Sequence, residues 1–145
     1  MNLHSDPKNL RHVFVYGTLR RGEQRDINLL VPTPAFVCHA GVRGVMYDLG
    51  AYPGLRLLAV SEDGTGTDVV GEVYEITPAL EQLLDEIEEV WPQATGEYAK
   101  RELEIAVGDV GASVACLVYE VSEARSKGRP VIAGGDWVQY RKGAK

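Results

Sequence analysis

Two stretches of the 145-residue chain carry side chains whose types and spacing could do chemistry. One is the acidic run LLDEIEEV, residues 83–90, where Asp85, Glu86, Glu88 and Glu89 crowd one turn. Upstream, Leu80, Leu83, Leu84 and Ile87 recur at i, i+3, i+4 and i+7, the apolar stripe of an amphipathic helix. Thr77 suits its N-cap and Pro78 its first position. The acids therefore fall at a helix C-terminus, where carboxylates oppose the macrodipole at a cost of a few tenths of a kcal/mol each. An arrangement that local electrostatics disfavours raises a functional question. At about 100° per residue Glu88 lies at the edge of the stripe on the Leu84 side, while Asp85, Glu86 and Glu89 are expected to project toward solvent. A half-buried carboxyl is the kind whose proton affinity burial raises, which suits proton transfer. A merely solvated acidic face is the plain alternative.

The other stretch is VFVYGTLRRG, residues 13–22. An alternating apolar strand stops at Tyr16-Gly17 and turns at once. Such a turn can present consecutive backbone N–H groups, which hold carboxylates and phosphates, and a small residue lets a ligand come close. It is equally a plain tight turn. No lysine follows to make a GxxxxGK[ST] loop, so nucleotide binding has no support. Seven tyrosines against two phenylalanines is a third signal: rings with a polar tip can line a pocket or form core with a wet end.

Other chemistries lack their residues. His4, His12 and His39 have no metal-ligand spacing, and Cys38 and Cys116 have no CxxC partner; both read as buried thiols of a reducing compartment. No serine sits in a GxSxG turn. The formal net charge of −6 argues against a nucleic-acid partner, which needs a cationic face. The polar start MNLHSDPKNLRH has no apolar signal core, and no run approaches the ~18 apolar residues of a membrane span. A cytoplasmic protein with no membrane partner, metal or cofactor is expected; oligomeric state is not legible.

The elements that must position these residues follow from the pattern. Residues 1–11 read as a flexible polar arm and 12–145 as a single domain. Strands are predicted over 12–16, 35–47 (one or two, with Gly41 and Gly44 at bends or bulges), 57–60, 69–76, 101–107 and 113–121. A short helix is predicted over 24–30, loops over 49–55 and 91–98, turns over 62–68 and 108–111, and a loop-like tail over 132–140 ending in a short helix. Together these give an α+β fold with a small curved or barrel-like sheet.

In this order and at these distances the motifs resemble the γ-glutamylcyclotransferase-like (AIG2-like) family. FVYGTLRRG at 14–22, with Asn28 following, is similar to its opening signature. DLGAYPGL at 48–55 and VVGEVYEI at 69–76 resemble its next landmarks. LDEIE at 84–88 resembles its LDxxE, whose last residue is the catalytic glutamate, and EYAKRELEI at 97–105 its Tyr-x-Arg strand; GDW at 135–137 resembles a common ending. The chain departs from the pattern at Glu89, often glycine in the family, in a longer 89–97 loop carrying Trp91 and Pro92, and at Lys100, where the arginine would stand. Arg101 comes one position late, and neighbouring strand residues face opposite sides.

The resemblance implies a mixed β-barrel flanked by a few helices, with a cavity between the YGTL turn and the helix glutamate. It implies cyclisation of a γ-glutamyl group to 5-oxoproline, with release of an amine or amino acid and no cofactor. Glu88 would be the general acid/base; Tyr16, Gly17, Thr18 and Leu19 would anchor the substrate, and Tyr98 and Tyr119 would line the pocket. Arg20 would border the cavity, and the 89–97 loop and 128–135 tail would select the amine half. The alternative is a non-catalytic module that binds a small molecule in the same cavity.

Overall fold

The computed structural model describes residues 10–58, 66–88, 95–107 and 112–143. Six strands form one mixed sheet: β1 (Arg11–Val15), β2 (Ala35–Asp48), β3 (Pro53–Leu57), β4 (Thr67–Ile76), β5 (Tyr98–Val107) and β6 (Ala112–Val121), in the order β3-β2-β4-β1-β6-β5. Only the central β1–β6 pairing is parallel; the other four are antiparallel. Three helices flank the sheet among the described residues: α1 (Pro78–Ile87), α2 (Glu123–Ser126) and α3 (Trp137–Gly143).

The sheet curls into a half-barrel, bringing β3 at one edge against β6 near the other. The Leu57 N–H donates to Glu120 Oε2 (2.8 Å) and Arg56 Nη1 to the Val121 carbonyl (2.9 Å). Gly54 permits this approach, since a Cβ there would stand 2.8 Å from that of Val121. Strand alternation sorts the core onto two faces. Phe14, Val69, Val73, Cys116 and Val118 fill one with Met46, Leu55 and Trp137. Val13, Val15, Tyr74, Ile76, Leu117 and Tyr119 take the other, which Leu80 and Leu84 of α1 cover.

Several predicted elements shift. Residues 49–55 are not all loop: Pro53 opens β3, an edge strand, where a missing N–H is tolerated. The strand predicted over 57–60 thus lies earlier, and residues 59–60 fall outside the described set. The long β2 is one strand whose register slips between Phe36 and Cys38 and runs regularly through Gly41 and Gly44. The helix predicted over 24–30 shrinks to a 3-10 turn, Ile27–Leu29, because Asp26 caps it through the Asn28 N–H. No element was predicted for the stretch between β6 and the tail, where α2 forms with Ser122 capping it through the Arg125 N–H. Arg11 already belongs to β1, and most of the predicted arm lies outside the described residues, as do the 108–111 turn and most of the 62–68 turn. Of the two thiols only Cys116 is buried; Cys38 is partly exposed.

Topology then dictates where α1 ends. β4 runs antiparallel to β1 and finishes beside Arg11, the start of β1. From there α1 returns alongside β1: Arg11 Nη1 reaches Glu81 in its first half, and the Tyr119 hydroxyl, near the end of β6, reaches Asp85 in its second. Ten helical residues rise about 15 Å, close to the span of five extended ones. The helix C-terminus therefore arrives beside the turn that leaves β1.

Candidate functional site

At that end of the sheet lies a cavity of about 90 Å³. Tyr16, Gly17, Thr18 and Leu19 line it from the turn after β1, and Ile87 and Glu88 from the end of α1. Tyr98 at the start of β5, Tyr119 of β6 and Tyr52 and Pro53 at the start of β3 close it. Glu88, the Tyr16–Leu19 turn, Tyr98 and Tyr119 thus line one cavity.

The turn is held by its own carbonyls. Those of Gly17, Thr18 and Leu19 accept from the N–H groups of Arg20 (3.0 Å), Arg25 (2.8 Å) and Ile27 (2.9 Å). In a planar trans peptide the N–H points opposite to the preceding C=O. Turning the Gly17 and Thr18 carbonyls into the loop therefore turns the Thr18 and Leu19 N–H groups out of it. Gly17 is small for a reason the sequence did not offer: a Cβ there would meet the Pro53 ring at 2.6 Å.

Glu88 is the residue on which α1 stops. Its N–H still donates to the Leu84 carbonyl (2.9 Å), but its ψ of 2° has left the helix, and it is half-buried. Its charge reaches three pocket phenols. Burial pushes the hydroxyls of Tyr16, Tyr98 and Tyr119 above the usual tyrosine range, and the Glu88 carboxylate adds to the rise in each. All three stay neutral across the physiological range.

Those phenols are structural ties. The Tyr16 hydroxyl donates to the Tyr119 carbonyl (2.7 Å) and accepts from the Leu55 N–H (3.2 Å), pinning β1, β6 and β3 together. The Tyr98 hydroxyl donates to the Pro53 carbonyl (3.0 Å) and that of Tyr119 to Asp85 Oδ1 (2.6 Å). Their rings form walls, and their polar tips hold the protein. Tyr74 and Tyr140 lie elsewhere, bonded to Glu72 and Asp48.

Three expectations change. Asp85 does not project into solvent; it sits between the Tyr119 hydroxyl and Lys100 Nζ (2.8 Å), which also meets Glu81 (2.7 Å). Lys100 and Arg101 do face opposite sides, Arg101 reaching Glu120 instead. Arg20 does not border the cavity: it is buried with Glu72 (3.1 Å) and Asp136 (3.0 Å). The 128–135 tail contributes nothing to the cavity wall, and Glu89, Trp91 and Pro92 lie outside the described residues. Of the charged cavity residues, Arg25 and Glu97 were not singled out. Glu97 stood in a quoted motif beside Tyr98, yet nothing in its spacing marked it; its carboxylate accepts from Tyr52 (2.6 Å) and Arg125 (3.1 Å). Among the described residues no group of histidine, cysteine and carboxylate side chains could hold a metal ion.

A half-barrel with a tyrosine-walled cavity between the strand-exit turn and a helix-terminal glutamate defines a class. The family model described as "Gamma-glutamyl cyclotransferase, AIG2-like" matches residues 13–139, and the chain belongs to that family of γ-glutamyl cyclotransferase-type enzymes. A mouse γ-glutamylaminecyclotransferase is 30% identical over 125 residues, 76% of this chain and 77% of the relative. The crystal structure of a mouse AIG2-like protein superposes with a TM-score of 0.68 at 25% identity, covering 89% of this chain and 88% of that one. A Pyrococcus horikoshii protein shares the fold at a TM-score of 0.62 and 21% identity, over 91% of this chain and 93% of its own.

Proposed function

We propose that the chain cyclises a γ-glutamyl compound to 5-oxoproline, with Glu88 as the group that moves the proton. The observation that carries this reading is that Glu88 and the turn at 16–19 line the same small cavity. The outward Thr18 and Leu19 N–H groups receive the α-carboxylate of the substrate. Held there, the γ-glutamyl chain folds so that its α-nitrogen meets its own γ-carbonyl, a ring closure in which positioning supplies much of the rate.

The proton account has two steps. Glu88 accepts a proton from the α-ammonium, and the freed amine forms a C–N bond to the γ-carbon. The bond from that carbon to the leaving nitrogen then breaks as Glu88 returns the proton to it, and the second proton shed by the new lactam nitrogen goes to the released amine, which departs as an ammonium. One C–N bond forms and one breaks; no water or redox partner is consumed. Tyr16, Tyr98 and Tyr119, neutral and tied, wall the cavity without competing for the proton.

The test is a panel of γ-glutamyl amines, amino acids and peptides assayed for 5-oxoproline. Glu88→Gln should lower turnover by about 10²–10⁴-fold, the usual worth of a general acid/base, with an unchanged thermal melt. Full activity in Glu88→Gln would overturn the mechanism. Binding without turnover by the parent protein would point to a non-catalytic module.

A further inference from the structure

The cavity at Glu88 is small. Ligand pockets that take a whole small molecule run from about 300 Å³ upward, so a 90 Å³ cavity admits the γ-glutamyl head and leaves the departing half outside. A groove of about 420 Å³ adjoins it, sharing Arg25 and Ile87 with the cavity wall. Leu29 and Leu30 line its far side. Leu29 is 77% exposed. The leaving nitrogen must stand within reach of Glu88, so the atoms beyond it pass Ile87, the neighbour of Glu88, into this groove.

Glu97 on the cavity wall is matched by Arg125 and Tyr52. Asp26 on the groove wall accepts from the Gly22 N–H (2.8 Å), the Asn28 N–H (2.8 Å) and Asn28 Nδ2 (2.9 Å). Arg25 lies between them, and among the described residues its guanidinium has no carboxylate partner, whereas Arg20 and Arg125 do. The departing half thus meets an apolar groove and the Arg25 guanidinium.

Resting on the γ-glutamyl reading above, we infer that Arg25 and the Leu29–Leu30–Ile87 groove select a leaving group that is an apolar α-amino acid, its carboxylate on Arg25 and its side chain in the groove. A simple amine lacks the anion and a glycine lacks the side chain.

Three substrates separate these features: γ-glutamyl-leucine, γ-glutamyl-3-methylbutylamine (the same side chain without the carboxylate) and γ-glutamyl-glycine. With the purified full chain, kcat/KM for 5-oxoproline release should favour leucine over the amine by about tenfold, the scale of a charge-assisted hydrogen bond. Leucine should exceed glycine by about tenfold, the scale of one buried aliphatic side chain. Arg25→Gln should erase the first preference by lowering the leucine compound's kcat/KM toward the amine's; Leu29→Asp should erase the second. Equal losses on all substrates in Arg25→Gln would mean that Arg25 serves the shared γ-glutamyl half, and the inference falls. It falls also if both preferences survive the two substitutions. If no compound releases 5-oxoproline, the γ-glutamyl reading itself fails, a result distinct from turnover indifferent to Arg25.

Discussion

Adding one methyl group at Gly17 should damage both stability and turnover. A Cβ there would stand 2.6 Å from Pro53 Cγ and 2.8 Å from Cδ, where ordinary contact begins at 3.4 Å. Something must yield by about 0.8 Å (3.4 − 2.6). The proline ring is stiff. Its carbonyl holds the Tyr98 hydroxyl, and two residues on, the Leu55 N–H is held by Tyr16. The displacement therefore passes into the cavity wall or the turn. Overpacking of this size costs about 1–3 kcal/mol, or roughly 3–10 °C of melting temperature in a chain of this length. A turn displaced by nearly 1 Å should also lose about 10–100-fold in kcat/KM for 5-oxoproline release. The control is Gly17→Ala combined with Pro53→Ala: with the ring gone there is nothing to strike, and the double variant should melt no lower than Pro53→Ala alone. A Gly17→Ala protein that melts and turns over like the parent would refute this reasoning. So would losses that simply add in the double variant.

Two further outcomes test the frame. Glu72→Leu strips an acceptor from Arg20, the Arg21 N–H and the Tyr74 hydroxyl at a buried site, and should lower unfolding free energy in urea by about 3–5 kcal/mol. Adding Arg20→Met should restore much of it; a Glu72→Leu midpoint equal to the parent's would contradict the role given to the pair. On the alkaline side, burial pushes the Cys116 thiol from 9.0 up to about 12, and burial with Glu72 nearby pushes Tyr74 from 10.0 to about 12. The folded chain keeps protons that the unfolded chain gives up, so stability is intact below pH 9 and drains as pH rises toward 12. The loss by pH 11 is about 4 kcal/mol, two pH units from Cys116 and one from Tyr74, seen as a falling melting temperature; a flat profile from pH 8 to 11 would contradict it.

The helix and the central strands were legible because each buries one clean face. Leu80 and Leu84 follow a 3.6-residue period, and β4 alternates Val69 and Val73 against Tyr74 and Ile76. Thr77-Pro78 marked the helix start by capping chemistry alone. What failed was whatever depends on a distant partner. Proline and glycines in 49–55 read as loop because strand propensity cannot see that Pro53 lies on an edge or that Gly54 must clear Val121. Arg20 and Arg25 look alike in RRGEQR, yet one is buried against Glu72 and the other lines the cavity. Only the fold, which brings Glu72 across from β4, tells them apart.

The acidic run at the end of α1 looked like one electrostatic anomaly, and it is several arrangements. Asp85 is matched by Lys100 and by the Tyr119 hydroxyl, so its cost against the helix dipole is offset locally. Glu86 is exposed, where solvent screens it. Glu88 falls one helical turn beyond Asp85, on the residue where the helix stops, and there the wall is three phenols, those of buried Tyr16 and Tyr119 and of partly buried Tyr98. Because β1 and β6 run parallel, their C-terminal ends open side by side at this point, and the return of α1 delivers its own terminus to the same place. Asp85 fixes the Tyr119 wall; Glu88 is among the residues that line the space beside it. A charge reversal at Asp85 should therefore disturb the cavity through Tyr119, whereas Glu88→Gln leaves that tie intact. This difference is what makes Glu88→Gln a test of chemistry and not of folding.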